Sequence, residues 1–462
     1  MTDINASKLE AVPYRVTEPE KIPAERYYDS AFFELEREKL WPHVWQMACR
    51  LEEIPNVGDY TVYTLLDWSV ILIHTKTAGV KAFHNSCRHR GVRLATEPGN
   101  CAKQGFVCPF HGWRWNADGE NTFVFGKQVF SEELLDRAEI DLKPCRIEFW
   151  GGSAFINFDD EAPSLLESLG PVANRLDARN ADKLKMDWWY GTVLPTNWKL
   201  AMEAFQEGYH TMKTHPQLHR LSALGNSYGI DSDGLVLNRN LTGRQTVEMH
   251  VDFLARLGSG MGGMVHDSEV AVIEKLRDMD VPNDPMEATM AFYSRAHEEL
   301  TRDGLERGAP MFNVAQVSQQ VEFHAVEYLF PHYFLLPMFS AMSSYRIRPL
   351  TPETCLFEIW SLVLRPEGEA FDTPKQPIML PHDSPDFPEI PRQDYDNLPL
   401  QQLGLHAREF EYMRLSKSHE GMISNYQRLI DGYIAGLDPT LLAKGAQIVN
   451  AGFEGPIADI GF

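Results

Sequence analysis

Two short runs in the first quarter of the chain each pair a thiol with an imidazole. They read Cys87-Arg88-His89 and Cys108-Pro109-Phe110-His111. A [2Fe–2S] cluster of mixed ligation takes two Cys on one iron and two His on the other. Two facing loops that each supply one of both kinds meet that need, with Cys87 and Cys108 on the inner iron and His89 and His111 on the outer one. Tetrahedral zinc also accepts two Cys and two His, but zinc fingers keep their Cys together and their His together, whereas here the order alternates. Gly91, Pro109 and the Gly112-Trp113 pair mark both runs as loops.

A second constellation follows Asn197. It reads Asn197-Trp198-Lys199, Glu203, Glu207-Gly208-Tyr209-His210 and His215-Pro216. Two His with one carboxylate form the facial set that binds non-haem Fe(II) and leaves positions open for O2. Five residues apart on a regular helix, His210 and His215 would point ~140° away from each other. They can share an ion only if the helix is distorted or ends between them, and Pro216 disfavours helical backbone at His215. The pair His215/His219 has the regular i, i+4 spacing, with Pro216 inside its turn.

The elements that must carry these residues show two regimes. Residues up to about 44 are charged and helical in pattern, an arm anchored by Tyr27-Tyr28, Phe32-Phe33 and Leu40-Trp41. From 45 to 160 short β-branched and aromatic runs alternate with turns, as in Tyr60–Thr64 and Ser69–Ile73, which predicts a small antiparallel β domain. Residues 161–462 form the second domain, with a polar, glycine-bearing insertion or lid at about 225–320 and strand-like runs at Tyr333–Leu336, Ala341–Ile347 and Leu356–Leu364. The Pro- and Asp-rich stretch 366–400 reads as loop, and the 3.6-residue pattern from Leu405 to Gly436 predicts one long helix. Gly258-Ser259-Gly260-Met261-Gly262-Gly263 matches a dinucleotide-binding pattern by letter. It lacks the preceding strand and following βαβ unit that the pattern requires, so a linker or pocket lid is expected there.

Composition sets outer bounds. A chain of 462 residues is too long for one ordinary core. Its net charge of −22 argues against nucleic acid as a partner, and no run approaches the ~20 apolar residues that cross a bilayer. Four of the six Cys (Cys49, Cys101, Cys145 and Cys355) lie outside the two paired runs without framework spacing. Reduced thiols and a cytoplasmic setting are therefore expected.

Together these residues give the chain a resemblance to the terminal oxygenase (α) subunits of Rieske non-haem iron oxygenases, the aromatic ring-hydroxylating group. The resemblance runs through Cys87/His89/Cys108/His111 and the Asn-Trp-Lys…Glu…Tyr-His-x4-His segment, and in order and length covers about residues 40–436. It implies an α+β chain: an N-terminal Rieske [2Fe–2S] β domain, then a helix-grip (START-like) catalytic domain with an antiparallel sheet and a long C-terminal helix. It implies a mononuclear Fe(II) held by His210, His215 and an acid on the late helix. Glu420 before Gly421 is the expected residue, with His419 if the register slips by one and Asp431 further off. Glu207, three before the first His, would bridge to a cluster His of the neighbouring subunit in a homotrimer, with or without a β subunit; ring-hydroxylating members usually carry Asp there.

The activity implied is hydroxylation of an aromatic or polycyclic substrate with O2 and electrons from a ferredoxin or NAD(P)H-dependent reductase. O- or N-dealkylation is the alternative with the same chemistry. A Rieske electron carrier without oxygenase activity would need no second site, and a zinc-stabilised binding protein would be colourless.

Overall fold

The computed structural model describes residues 3–219 and 241–462. Part of the expected 225–320 insertion therefore lies outside the described residues.

Three antiparallel sheets make the small β domain. A four-stranded sheet runs in the order Val80–His84, Trp68–His74, Asp59–Leu65, Gly99–Asn100. A three-stranded sheet joins Arg146–Trp150, Ser153–Asn157 and Gln46–Arg50, and another joins Phe106–Val107, Arg114–Trp115 and Asn121–Phe123. Strand Trp68–His74 is buried on both faces, which explains its unbroken apolar run. Successive side chains of a strand point to opposite faces. Val70 and Leu72 accordingly enter the large core shared with the second domain, and Ile71 and Ile73 enter the small core beneath Cys87 and Cys108.

The second domain is built on a six-stranded sheet in the order Glu327–Leu329, Tyr333–Pro337, Met342–Thr351, Thr354–Val363, Lys185–Leu194, Ile378–Met379. All its pairings are antiparallel except the last. One face carries Trp189, Leu335, Met342 and Trp360 against the connecting helices Leu165–Leu169 and Pro171–Asp177. The other carries Phe334, Tyr345, Phe357 and Ile359. Packed with that second set are α1 (Trp198–Glu203), α2 (Gly243–Met261), α3 (Glu389–Leu405) and α4 (Gly421–Ile434); α5 (Pro439–Asn450) closes the chain's helical part.

Three expectations are corrected. The predicted helix from Leu405 to Gly436 is two elements: between α3 and α4 the chain leaves the helical path, and Tyr412–Arg414 pairs antiparallel with Lys21–Pro23 of the arm. The Pro- and Asp-rich stretch read as loop holds α3. Pro388 caps it and Pro391 sits in its first turn, where backbone N–H groups have no intrahelical acceptor, so neither proline removes a bond. Gly258–Gly263 is neither linker nor lid. It ends α2, with Gly262 left-handed at φ +61°, where a Cβ would collide with Trp188 and Pro388.

The arm is held by charge as well as by apolar contact. Glu36 accepts from the Trp198 indole N–H at 3.0 Å and pairs with Lys199 at 2.7 Å, both fully buried. Tyr27 donates to Glu203 at 2.9 Å, and Arg26 pairs with Asp431. The Asn-Trp-Lys…Glu run of α1 is therefore the surface that receives the arm, with Asn197 capping the helix through Lys199 N–H at 2.9 Å. The two domains share a buried charge at their junction: Arg346 pairs with Glu358 at 2.8 Å and donates to the carbonyls of Met47 and Ala48.

Candidate metal centres

The two Cys/His runs fold in the same way. Cys87 N–H donates to the Val92 carbonyl and Cys108 N–H to the Trp113 carbonyl, both at 2.8 Å. Gly91 and Gly112, each four residues after its Cys, return a bond of 2.9 Å to that Cys carbonyl and take left-handed φ of +78° and +70°. A side chain would be strained at either glycine. The turns bring the thiols of Cys87 and Cys108 within hydrogen-bonding reach of each other, both buried. Burial pushes the Cys87 thiol up, opposed by backbone N–H groups of His89 and Arg90 directed at its sulfur. The imidazoles of His89 and His111 lie with ring centroids 4.7 Å apart, and His89 stacks on Trp113.

Two observations test whether this set fits a binuclear cluster. The Nδ1 atoms of His89 and His111 are buried without a hydrogen-bond partner, an arrangement that costs free energy unless something accepts their lone pairs. Among the described residues, the one group of three donors convergent enough for a single ion is elsewhere. Four ligands on one tetrahedral zinc at ~2.0–2.3 Å would all lie within about 4.6 Å of one another. The Cys87/His89/Cys108/His111 set therefore fits the two-iron cluster and not the zinc alternative.

That convergent group is His210, His215 and Asp394, whose ligand atoms all lie within 4.8 Å of one another. The spacing problem is solved by ending the helix. Thr211–Thr214 is a single turn that stops at His215, whose φ −119° and ψ 55° are non-helical, just before Pro216. The two rings then stand 5.2 Å apart at 79°. His215 Nε2 lies 3.1 Å and His210 Nε2 3.6 Å from the same Asp394 oxygen. Each ring is held from behind: His210 Nδ1 is 2.7 Å from Glu207 Oε1, and His215 Nδ1 is 2.7 Å from Gln393 Oε1. Since the acceptors are oxygens, each Nδ1 carries the proton and each Nε2 presents a lone pair toward Asp394. Burial works to lower the His210 pKa, but the hydrogen bond and charge of Glu207, with Asp394, hold it above the ordinary value. Two imidazole lone pairs and one carboxylate on one side of a point fit the facial set of non-haem Fe(II).

Glu420 is thus displaced by Asp394 as the third donor. Its carboxylate turns back to accept from Ser416 N–H at 2.7 Å, and burial, with the nearby charge of Glu207, raises its pKa. His419 is half-buried and 2.8 Å from the Ser418 hydroxyl, Asp431 is spent on Arg26 and Val16 N–H, and the side chain of His219 lies outside the described residues. Glu207, Glu420, His210 and Asp394 all line one open cleft of about 620 Å³. Sequence reasoning missed Asp394 and Gln393 because prolines disguised α3. The helical spacing of the apolar residues Ile390, Tyr395, Leu398 and Leu405, all buried in the fold, was the signal that could have revealed it.

Comparison with known proteins agrees with this geometry. Residues 44–124 match the Rieske [2Fe-2S] domain, and residues 175–436 match the ring hydroxylating alpha subunit (catalytic domain). The chain is 33% identical over 186 residues to the alpha subunit of 2-aminobenzenesulfonate 2,3-dioxygenase from Alcaligenes sp, covering 40% of this chain and 47% of that one. It is 33% identical over 198 residues to the oxygenase subunit of glycine betaine monooxygenase from Chromohalobacter salexigens, 43% of each. It is 32% identical over 197 residues to that of carnitine monooxygenase from Escherichia coli, 42% of this chain and 52% of that one. The chain thus matches about half the length of these curated relatives.

In fold it resembles the quaternary ammonium Rieske monooxygenase CntA in complex with L-carnitine, at TM-score 0.58 and 18% identity, covering 90% of this chain and 97% of that one. It also resembles naphthalene 1,2-dioxygenase from Rhodococcus sp. bound to indole, at TM-score 0.59 and 19% identity, covering 90% of each. With the catalytic-domain match extending over more than half of its length, and the Rieske match before it, the chain belongs to the ring-hydroxylating alpha-subunit family, whose members carry a Rieske cluster and a mononuclear iron.

Proposed function

We propose that this chain is the oxygenase component of a Rieske system and that it oxidises a carbon attached to nitrogen in a quaternary ammonium compound. The observation that carries the oxygenase reading is the convergence of His210, His215 and Asp394 on one side of a single point. His210, His215 and Asp394 would hold an iron, which would supply O2 activation with electrons from the cluster. The protein's own work is positional. Glu207 and Gln393 fix the two imidazole tautomers, and Asp394 offers the compensating negative charge. Phe357 and Tyr395, 5.1 Å apart, with Tyr345 5.9 Å from Phe357, are fully buried core packing behind the third ligand.

The substrate class rests on the relatives that act on glycine betaine and carnitine. The expected aromatic hydroxylation is retained as a second reading because of the 2-aminobenzenesulfonate relative. In the N-dealkylating reaction one oxygen atom of O2 inserts into a C–H bond to give a hydroxyl, and two external electrons with two protons reduce the other to water. The hydroxylated carbon then breaks its bond to nitrogen, which keeps the electron pair and leaves as a tertiary amine, while the hydroxyl proton is released and a carbonyl product forms.

Electrons must cross from a cluster to this iron. The cleft beside Glu207 and Glu420 is suited to receive the cluster tip of a second copy, where Phe110 is 58% exposed next to His111. The two carboxylates would accept from the outer nitrogens of the imidazoles, which makes a ring-shaped homo-oligomer the assembly of choice. The deciding experiment supplies a reductase, NADH and O2 to the iron-loaded protein, with glycine betaine, carnitine and choline in one set and aromatic sulfonates and carboxylates in another. Aldehyde release coupled to O2 uptake in the first set is expected; dihydrodiol formation in the second alone would overturn the substrate class. A protein that never acquires a second type of iron would overturn the oxygenase reading.

A further inference from the structure

A partly enclosed cavity of about 270 Å³ lies where the arm, the small β domain and the C-terminal helices meet. None of its lining residues is a metal donor, and none lines the cleft beside Glu207. Its walls are largely apolar, formed by Trp45 and Phe155 of the β domain, Leu169 of the connection, Leu329 of the large sheet, and Leu442 and Ala446 of α5.

Several polar groups of these walls already have partners. Trp45 donates to the Pro163 carbonyl at 2.9 Å. Asn450 accepts from Phe330 N–H at 2.8 Å and donates to the Ser168 carbonyl at 3.1 Å. A water molecule is retained in a cavity only where it finds two to four polar partners, and apolar cavities of comparable size stay dry and take up apolar molecules. The charged groups of the lining are Lys39, His43 and Asp159. His43 and Asp159 pair at 2.8 Å and neutralise each other when His43 is protonated. Lys39, at the mouth, is exposed and has no ion-pair partner among the described residues.

We propose that this cavity is a binding site for a compact apolar molecule with one anionic end, such as an aromatic monocarboxylate. The apolar body sits between Trp45 and α5, and the carboxylate stays at the mouth beside Lys39. Ligand sites occur preferentially where domains meet. An occupant here would touch all three parts of the chain and tie the β domain to the catalytic one. The site is independent of which substrate the iron centre oxidises.

Benzoate titrated into the metal-loaded protein tests the assignment, read by calorimetry and by Trp45 fluorescence taken as the difference from a Trp45→Phe variant. One equivalent is expected to bind. Filling the cavity by Ala446→Leu or, separately, by Ala443→Phe should weaken it by about tenfold or more, with the visible spectrum of the cluster reporting that each variant is folded. Lys39→Met should weaken benzoate and leave neutral benzyl alcohol unchanged, and Asp394→Ala should change neither. Absence of binding, binding indifferent to both filling variants, or binding lost in Asp394→Ala would overturn the site. Equal binding of benzoate and benzyl alcohol would overturn the anionic end.

Discussion

His210 Nδ1 lies 2.7 Å from Glu207 Oε1, and the same carboxylate accepts from His210 N–H at 2.9 Å through its other oxygen. One acid therefore grips both the ring and the backbone of a candidate iron ligand while lining an open cleft. Replacing Glu207 by Ala is expected to keep the cluster, to weaken mononuclear iron by about 10–100-fold because His210 loses its outer partner, and, in protein loaded with excess iron, to slow electron arrival at that iron by orders of magnitude. Stopped-flow oxidation of the prereduced cluster by O2 in the presence of substrate reads this directly. Rapid cluster oxidation in the variant would remove Glu207 from the route.

Asp394→Ala and Glu420→Gln separate the observed third donor from the expected one. The first removes the only carboxylate convergent with His210 and His215 among the described residues, so mononuclear iron should be lost while the cluster spectrum persists. The second leaves all three donors in place and should keep full iron content. Metal analysis paired with EPR distinguishes the two sites, and the reverse pattern would restore Glu420 as the ligand.

Gln393→Leu tests whether the partner behind His215 matters as much as the ligand itself. Without an acceptor 2.7 Å from Nδ1, the ring is free to rotate and to place its proton on Nε2. Loss of such an outer partner costs about 10–100-fold in metal affinity. A chelator competition assay on the mononuclear site should show a loss of that size, and unchanged affinity would mean that packing alone orients His215.

The sequence carried the donors better than their supports. Cys87, His89, Cys108 and His111 were legible because a cluster needs its ligands in short loops, where spacing survives folding. His210 and His215 were legible because Pro216 announces the end of the helix that would otherwise part them. Asp394 was not, because α3 begins among prolines whose composition reads as loop while their positions cost the helix nothing in its first turn. Glu420 resembled a ligand in the letters and proved to be a neighbour of Glu207 in the same cleft. The polar run of α1 looked like part of the metal motif alone, yet Trp198, Lys199 and Glu203 face the arm, a long-range contact that local pattern cannot express.

That contact supplies a test in pH. Glu203 is fully buried, and burial pushes its carboxyl up to about 7 from 4.5, although Gln427 and Tyr27 donate to it and Lys199 and Arg26 lie near. A folded-state pKa above the unfolded value means that the native protein binds the proton more tightly. The resulting penalty is absent below the unfolded pKa, grows as pH rises above it, and is complete once pH exceeds the folded pKa. Between roughly pH 4.5 and 7 this group alone removes stability, on the order of 3 kcal/mol at most. Glu203→Gln keeps an amide oxygen to accept from Tyr27 and Gln427 but cannot ionise. Measured by denaturant unfolding, the variant should match the parent near pH 5 and exceed it near pH 8. A gap that is the same at both pH values would mean that Glu203 is held ionised by Lys199 and Arg26 throughout, and that the arm is anchored by charge instead of by a shared proton.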